Sequence, residues 1–241
     1  MLRFLPVFCS GCWNRIHTQE TRPSREASGP DLCQDCAREL WLLRLASDST
    51  PSDVGETICL YRYEGLMRDL VWRAKIKDDH RALDLLLHCG LLPKALAWGH
   101  WADLIIAAPS SLWGRLRGRL DVAYHLAHSV GRHVQKPVFP APWHLYWRLS
   151  KNAQKRLSER HSGEQGSSPS TWERRHLGAW SRRLPVSPDP GGASCVRILV
   201  VDDVLTTGST LRRVGSALSK AFCLRGFRPE LRALALAKSG A

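Results

Sequence analysis

The residues best suited to chemistry follow a short apolar run near the carboxyl end of the chain. Residues 198–201 are β-branched or aliphatic, as in a buried parallel strand, and Asp202 and Asp203 come directly after them. A turn with hydroxyl side chains then opens an expected helix and comprises Thr206, Thr207, Gly208, Ser209 and Thr210. Backbone N–H groups, hydroxyls and the positive end of a helix dipole would meet there, which suits a phosphate monoester. The adjacent acids could hold sugar hydroxyls or a Mg²⁺ ion. The alternative is a strand end and a helix cap without a ligand.

Four cysteines near the amino terminus form a second candidate site. Two Cys-x₂-Cys pairs, Cys9 with Cys12 and Cys33 with Cys36, place four thiols on two tight turns. A tetrahedral structural Zn²⁺ requires this arrangement, and a closed Cys₄ site leaves no open position for catalysis. Disulfides are the alternative, although an expected cytoplasmic location disfavours them. The other cysteines lack ligand spacing and are expected to be ordinary thiols; they are Cys59, Cys89, Cys195 and Cys223.

The composition indicates which partners and compartments to expect. The 241 residues include 35 Lys and Arg against 22 Asp and Glu, a formal net charge of +13 that favours anionic partners. The charge alone does not choose between nucleotides, pyrophosphate and nucleic acid. No apolar run reaches the length of about 18 residues that a membrane span needs, so membrane insertion is not expected. Residues 2–8 are too short for a signal-peptide core, and a cytoplasmic location is therefore the expectation.

The candidate residues must be positioned by alternating strands and helices. The expected helices cover residues 31–45, 65–74, 81–92, 121–134 and 209–224, and the expected strands cover residues 58–63, 104–108, 198–201 and 231–237. This alternation predicts an α/β parallel sheet with its ligand at the carboxyl ends of the strands. Residues 47–56 are expected to be a linker. The chain would thus divide into a zinc module with a packing helix (residues 1–45) and a main domain (residues 57–241).

The strand, acid pair and turn resemble the PRPP-binding motif of type I phosphoribosyltransferases. That motif is an apolar strand followed by Asp-Asp-x-x-Thr-Thr-Gly-x-Thr, and every defining position is present in residues 198–210. The resemblance implies that Asp202 and Asp203 contact the ribose 2′- and 3′-hydroxyls as the catalytic acid pair. It also implies that the turn from Thr206 to Thr210 wraps the 5′-phosphate, with Mg²⁺ accompanying PRPP.

An amino-terminal Cys₄ zinc knuckle followed by such a domain resembles the ComF family, also called GntX-like. Weaker correspondences with that family include Tyr61-Arg-Tyr63, Ala74-Lys75-Ile76 and Gln154-Lys-Arg-Leu157. The family's Pro-Val-Pro strand end is Ala107-Ala108-Pro109 here, and its Arg-Gly-Phe-Asn-Gln stretch keeps only Arg117 and Gly118. The resemblance implies that phosphate and pyrophosphate contacts come from Lys75, Ser110, Arg117 and Arg148.

The family resemblance also predicts a function. It implies a phosphoribosyltransferase-like protein that binds PRPP or a nucleotide phosphate and acts in DNA uptake during natural transformation, or competence, with a helicase-like partner. Whether it catalyses pentosyl transfer, and to which acceptor, stays open. One alternative is a non-catalytic scaffold that binds single-stranded DNA through the basic and aromatic residues 143–160. Another is a zinc-stabilised interaction module with a degenerate phosphoribosyl site.

Overall fold

The fold is taken from a computed structural model of the chain. The structure describes residues 7–16, 31–45, 50–52, 54–109, 118–141, 177, 179–180, 182–184 and 195–240. The basic and aromatic stretch 143–160 lies outside the described residues. None of the helices in the described part of the chain combines the length and the hydrophobicity that a membrane span requires.

Strands and helices alternate through the described residues. The strands are β1 (Val7–Phe8), β2 (Arg15–Ile16), β3 (Thr50–Ser52), β4 (Gly55–Arg62), β5 (Leu104–Ala107), β6 (Val138–Pro140), β7 (Cys195–Leu205) and β8 (Arg228–Lys238). The helices are α1 (Gln34–Leu42), α2 (Gly65–Lys77), α3 (His80–Gly90), α4 (Pro93–Trp101), α5 (Val122–Val134) and α6 (Ser209–Cys223). Strands β1 and β2 form a small hairpin that is separate from the main sheet.

The main sheet has the strand order β3-β4-β8-β7-β5-β6. Its last five strands run parallel, and β3 pairs antiparallel with β4 at the edge. The predicted α/β parallel sheet is therefore confirmed. Strands β5 and β7 are neighbours in the sheet, but the chain leaves them in opposite directions. From β5 it passes through α5 to β6, which lies on the far side of β5, and from β7 it passes through α6 to β8, which lies on the far side of β7. The carboxyl ends of β5 and β7 thus border a topological switch point, where open α/β sheets bind ligands.

Hydrophobic layers cover both faces of the sheet. Helices α2, α3 and α5 contribute buried residues to one layer, and α6 contributes to the other. Side chains of β7 alternate between them, since Leu199 and Val201 belong to the first layer and Ile198 and Val200 to the second. An interior strand buried on both faces needs a continuous apolar run, which explains why this segment was predictable.

The cysteine segment packs directly on the main sheet. Cys9, Cys36, Leu40 and Leu43 belong to the same buried layer as helix α2. After α1 the chain also hydrogen-bonds to β4, because Leu45 N donates to Leu60 O at 2.9 Å. The division into residues 1–45 and 57–241 stays a prediction, since shared burial does not settle whether either part folds alone.

Several boundaries differ from the predicted ones. Pro93 begins α4 instead of only ending the preceding helix, because proline fits the first helical turn, where no N–H is needed. The expected linker, residues 47–56, contains β3 and the start of β4. Strand β6 was not predicted either, since three residues give no periodicity to detect. Helix α2 continues to Lys77, so Lys75 lies on a helix.

Candidate functional site

The four predicted zinc ligands converge at the start of the chain. Cys9 and Cys12 lie in the turn between β1 and β2, Cys33 is the N-cap of α1, and Cys36 lies in its first turn. Their sulfur atoms all lie within 4.8 Å of one another, the only such group of potential metal ligands among the described residues. Four converging thiols match the donor set of a structural zinc site, in which no coordination position stays open.

The backbone around the cluster prepares it for a metal ion. Cys33 N donates to the sulfur of Cys9 at 3.3 Å. Burial would raise the pKa of Cys9, but backbone hydrogen bonds from Cys33, Cys12 and Gly11 outweigh burial and lower it to about 7. Burial and the neighbouring thiols raise the pKa of Cys36. A divalent cation stabilises all four thiolates together, so its binding is expected to release protons.

Gly11 allows the two halves of the cluster to approach. A Cβ at this position would lie 2.8 Å from the sulfur of Cys36, well inside van der Waals contact. Glycine is therefore required where the first turn meets helix α1. Glu39 of α1 in turn accepts a hydrogen bond from Leu66 N at 2.7 Å, which joins α1 to the start of α2.

The predicted acid pair lies within β7, near its carboxyl end. Asp203 lies toward helix α2, and the next residue, Val204, also packs against the α2 layer, so the strict alternation of residues 198–201 does not continue past the acid pair. Asp203 is 6% exposed and pairs with the ammonium group of Lys75 from the last turn of α2. Asp202 is half-buried, and its Oδ1 accepts a hydrogen bond from Asp203 N at 2.9 Å.

The electrostatics of the pair are unusual for carboxylates. Burial, followed by the charge of Asp203, raises the pKa of Asp202 to about 7, and Lys75 only partly opposes this effect. Burial would lower the pKa of Lys75, but the charges of Asp203 and Asp202 outweigh burial, and the pKa is raised. Lys75 therefore stays protonated at neutral pH, whereas Asp202 is protonated in part of the molecules at that pH.

The predicted phosphate turn connects β7 to α6. Thr206 and Thr207 are exposed, and Ser209 N donates to the hydroxyl of Thr207 at 3.4 Å. Gly208 has a φ of 71°, in the left-handed region that glycine tolerates best, and it is the N-cap of α6. Since glycine has no side chain to cap the helix, an anion could accept hydrogen bonds from the first N–H groups of α6.

The end of β5 lies beside β7, directly before the acid pair. Ala108 N donates to Val201 O at 2.7 Å, which extends the contact between the two strands past the last residue of β5. Asp121 caps α5 through a hydrogen bond from Tyr124 N at 3.1 Å and is 7% exposed. Its charge adds to the raised pKa of Asp202. The sequence predicted Asp121 only as a helix cap, and no pattern marked it as a neighbour of the acid pair.

The described residues thus bring together part of the predicted site. Lys75 pairs with Asp203. Asp202 is the preceding residue of β7, and the turn from Thr206 to Thr210 connects β7 to α6. The other predicted phosphate contacts, Ser110, Arg117 and Arg148, lie outside the described residues. Cys59, expected to be an ordinary thiol, lies in the same cross-strand row as Asp202, since both align with Ala235. Burial raises its pKa to about 11, so it is a poor nucleophile at neutral pH.

Neither the protein-family models nor the curated proteins compared with the sequence match it. The resemblance to the ComF family accordingly depends on the motifs in the chain itself.

Proposed function

We propose that this protein is phosphoribosyltransferase-like, of the ComF type, and binds PRPP or a nucleotide phosphate at the carboxyl end of β7. The topological switch point between β5 and β7 supports this position, since ligands of open α/β sheets bind at such points. The sequence of strand, acid pair, threonine turn and helix supports the ligand class, because it combines carboxylates with an anion-binding helix start. The proposed setting, DNA uptake during natural transformation, rests on the family resemblance.

The observation that carries the proposal is the ion pair between Lys75 and Asp203 next to Asp202. A buried carboxylate is retained at a cost in stability, and its neighbour Asp202 has a pKa of about 7. A carboxylate with a purely structural role at the end of a strand needs neither a paired cation nor a neighbour with a perturbed pKa. Ligand binding gives a reason for both, because perturbed pKa values concentrate at functional sites.

Each group has a role in this proposal. The N–H groups at the start of α6 and the hydroxyls of Thr206 and Thr207 bind the 5′-phosphate. Asp202 and Asp203 accept hydrogen bonds from the ribose hydroxyls. Lys75 lies beside the acid pair, so its positive charge attracts the diphosphate of a ligand whose ribose is bound there. Asp202 also has the oxygen donors that Mg²⁺ prefers, and a Mg²⁺ ion bound with PRPP would neutralise charge on the pyrophosphate.

Binding and pentosyl transfer are separate parts of the proposal. Transfer would need groups that stabilise the charge developing on pyrophosphate, a mainly electrostatic task. Lys75 is the candidate for that task among the described residues. Release of pyrophosphate from PRPP in the presence of a base or other acceptor would demonstrate transfer, whereas binding alone would indicate a regulatory or scaffold role.

A thermal-shift comparison tests the binding proposal. PRPP, ribose 5-phosphate and nucleoside monophosphates are each added with and without Mg²⁺. A ligand at about 100 times its Kd stabilises by about 2.7 kcal/mol, which for a chain of this size raises Tm by about 5–10 °C. Asp203→Asn should abolish the shift, and Asp84→Asn, on the exposed face of α3, should retain it. The proposal fails if no phosphoribosyl compound shifts the wild-type protein, or if both variants respond equally.

A further inference from the structure

Arg73 of helix α2 connects the main sheet to the turn that carries the first two cysteines. Its Nη1 donates to the carbonyl of Gly11, and its Nη2 reaches the carbonyl of Ser10 at 3.5 Å. Both carbonyls lie between Cys9 and Cys12, so the guanidinium group contacts the backbone of the metal-binding turn itself.

Asp79 fixes the guanidinium group in this position. The Nε and Nη2 atoms of Arg73 lie 2.8 Å and 2.7 Å from Oδ2 of Asp79. The other oxygen of Asp79 accepts hydrogen bonds from Arg81 N and Ala82 N and caps helix α3. The side chains of Arg73 and Asp79 are only 16% and 12% exposed. An ion pair held this firmly is a rigid support, unlike most surface pairs.

An aromatic ring covers the same guanidinium group. The guanidinium carbon Cζ of Arg73 lies 5.2 Å from the ring centre of Trp13, the residue directly after Cys12. Trp13 has a φ of 66°, which is unfavourable for a bulky residue, and this conformation places its ring over α2. The turn therefore contacts Arg73 through two carbonyls and one ring.

We propose that Arg73 is a positioning residue of the metal centre. It holds the turn of Cys9 and Cys12 in the conformation that binds the ion, and its charge offsets the negative charge of the bound tetrathiolate. Four thiolates around a divalent cation carry a net charge of about −2, and groups that hydrogen-bond around a metal site strengthen it. This inference does not depend on the phosphoribosyl site.

Metal affinity in the whole 241-residue chain tests the proposal. Zn²⁺ affinity is measured by competition with a chromophoric chelator, and the geometry of the site by the absorption bands of the Co²⁺-loaded protein. Arg73→Met should weaken Zn²⁺ binding about 10–100-fold, the usual effect of losing such a partner. Arg73→Lys keeps the charge but loses the two-pronged contact, so its affinity should lie between those of Arg73→Met and wild type.

Arg81 provides the matched control. Its guanidinium carbon lies 5.3 Å from the Trp13 ring centre, almost the same distance as that of Arg73, but none of the described hydrogen bonds joins its side chain to the backbone of the cysteine turn. Arg81→Met should therefore keep wild-type affinity. Asp79→Asn, which keeps an oxygen to cap α3, should weaken binding less than Arg73→Met.

Circular dichroism of the metal-loaded variants shows whether each one folds. If Arg73→Met does not fold, Arg73→Lys and Asp79→Asn carry the test, because both retain hydrogen-bonding groups at the same positions. Wild-type Zn²⁺ affinity and Co²⁺ spectra in folded Arg73 and Asp79 variants would overturn the proposal. An equal loss of affinity in Arg81→Met would also overturn it, since the effect would then belong to ring stacking.

Discussion

Replacing Asp202 with asparagine should stabilise the unliganded protein at neutral pH and abolish its affinity for a phosphoribosyl ligand. The folded state raises the pKa of Asp202 from 3.8 to about 7, through burial and the charge of Asp203. At about 1.4 kcal/mol for each pKa unit, full ionisation of Asp202 disfavours the folded state by about 4 kcal/mol. Because Asp202 is only half-buried, solvent screening reduces this to about 2 kcal/mol.

The sign of the pH dependence follows from the direction of the pKa change. Between pH 3.8 and about 7 the folded protein binds the Asp202 proton more tightly than the unfolded chain does. The contribution of Asp202 to stability therefore falls as the pH rises through this range and levels off above it. In Asp202→Asn this contribution is absent, and the amide oxygen can still accept the hydrogen bond from Asp203 N.

Thermal unfolding of the wild type and the variant between pH 4 and pH 8 measures the difference. The variant should gain about 2 kcal/mol at pH 8, or about 4–8 °C in Tm for a chain of this size, and almost nothing near pH 4. Asp203→Asn is the matched comparison and should not stabilise, because it leaves Lys75 without its partner. A gain independent of pH, or a loss of stability at pH 8 in Asp202→Asn, would refute the reasoning.

Three further predictions concern the same two sites. Lys75→Met leaves the buried carboxylate of Asp203 unpaired. Because Lys75 is 36% exposed, the free energy of unfolding should fall by about 2 kcal/mol, less than for a fully buried pair. Denaturant unfolding measures this loss, and an unchanged midpoint would contradict it. Removal of zinc by a chelator should expose the buried Leu40 and Leu43, so limited proteolysis should cut residues 1–45 first while β7 stays protected; uniform cleavage would contradict this order. At pH 7 a ligand that favours ionised Asp202 should release about half a proton, because the group is then about half protonated; calorimetry in buffers of different ionisation enthalpy measures this release, which Asp202→Asn should lack.

The sequence predicted the elements that have strong local signals. The β-branched run before Asp202 indicated a buried strand, and Asp121 correctly marked the start of α5. The two Cys-x₂-Cys pairs predicted the convergence of four thiols, because ligand spacing alone constrains such a site. In each case the deciding information lies within a few residues of the chain.

Other features depend on contacts between distant segments. Lys75 and Asp203 were both predicted as site residues, but their pairing requires α2 to lie on the face of the sheet toward which Asp203 points. Strand order has no local signal, so the position of β5 beside β7 was not predictable. The proximity of Asp121 to Asp202 depends on that order. The support of the cysteine turn by Arg73 likewise joins segments far apart in the sequence.

Asp202 and Asp203 share the charge of Lys75 unequally. The ammonium group of Lys75 forms its ion pair with Asp203, and it only partly opposes the burial and the charge of Asp203 that raise the pKa of Asp202. In the unliganded protein its ionisation lowers stability, whereas hydroxyl donors or a cation brought by a ligand would remove that cost. Part of the binding free energy would then come from stabilising the ionised carboxylate of Asp202, which is unfavourable in the free protein. The residue that destabilises the free protein is therefore also the one expected to favour the bound state.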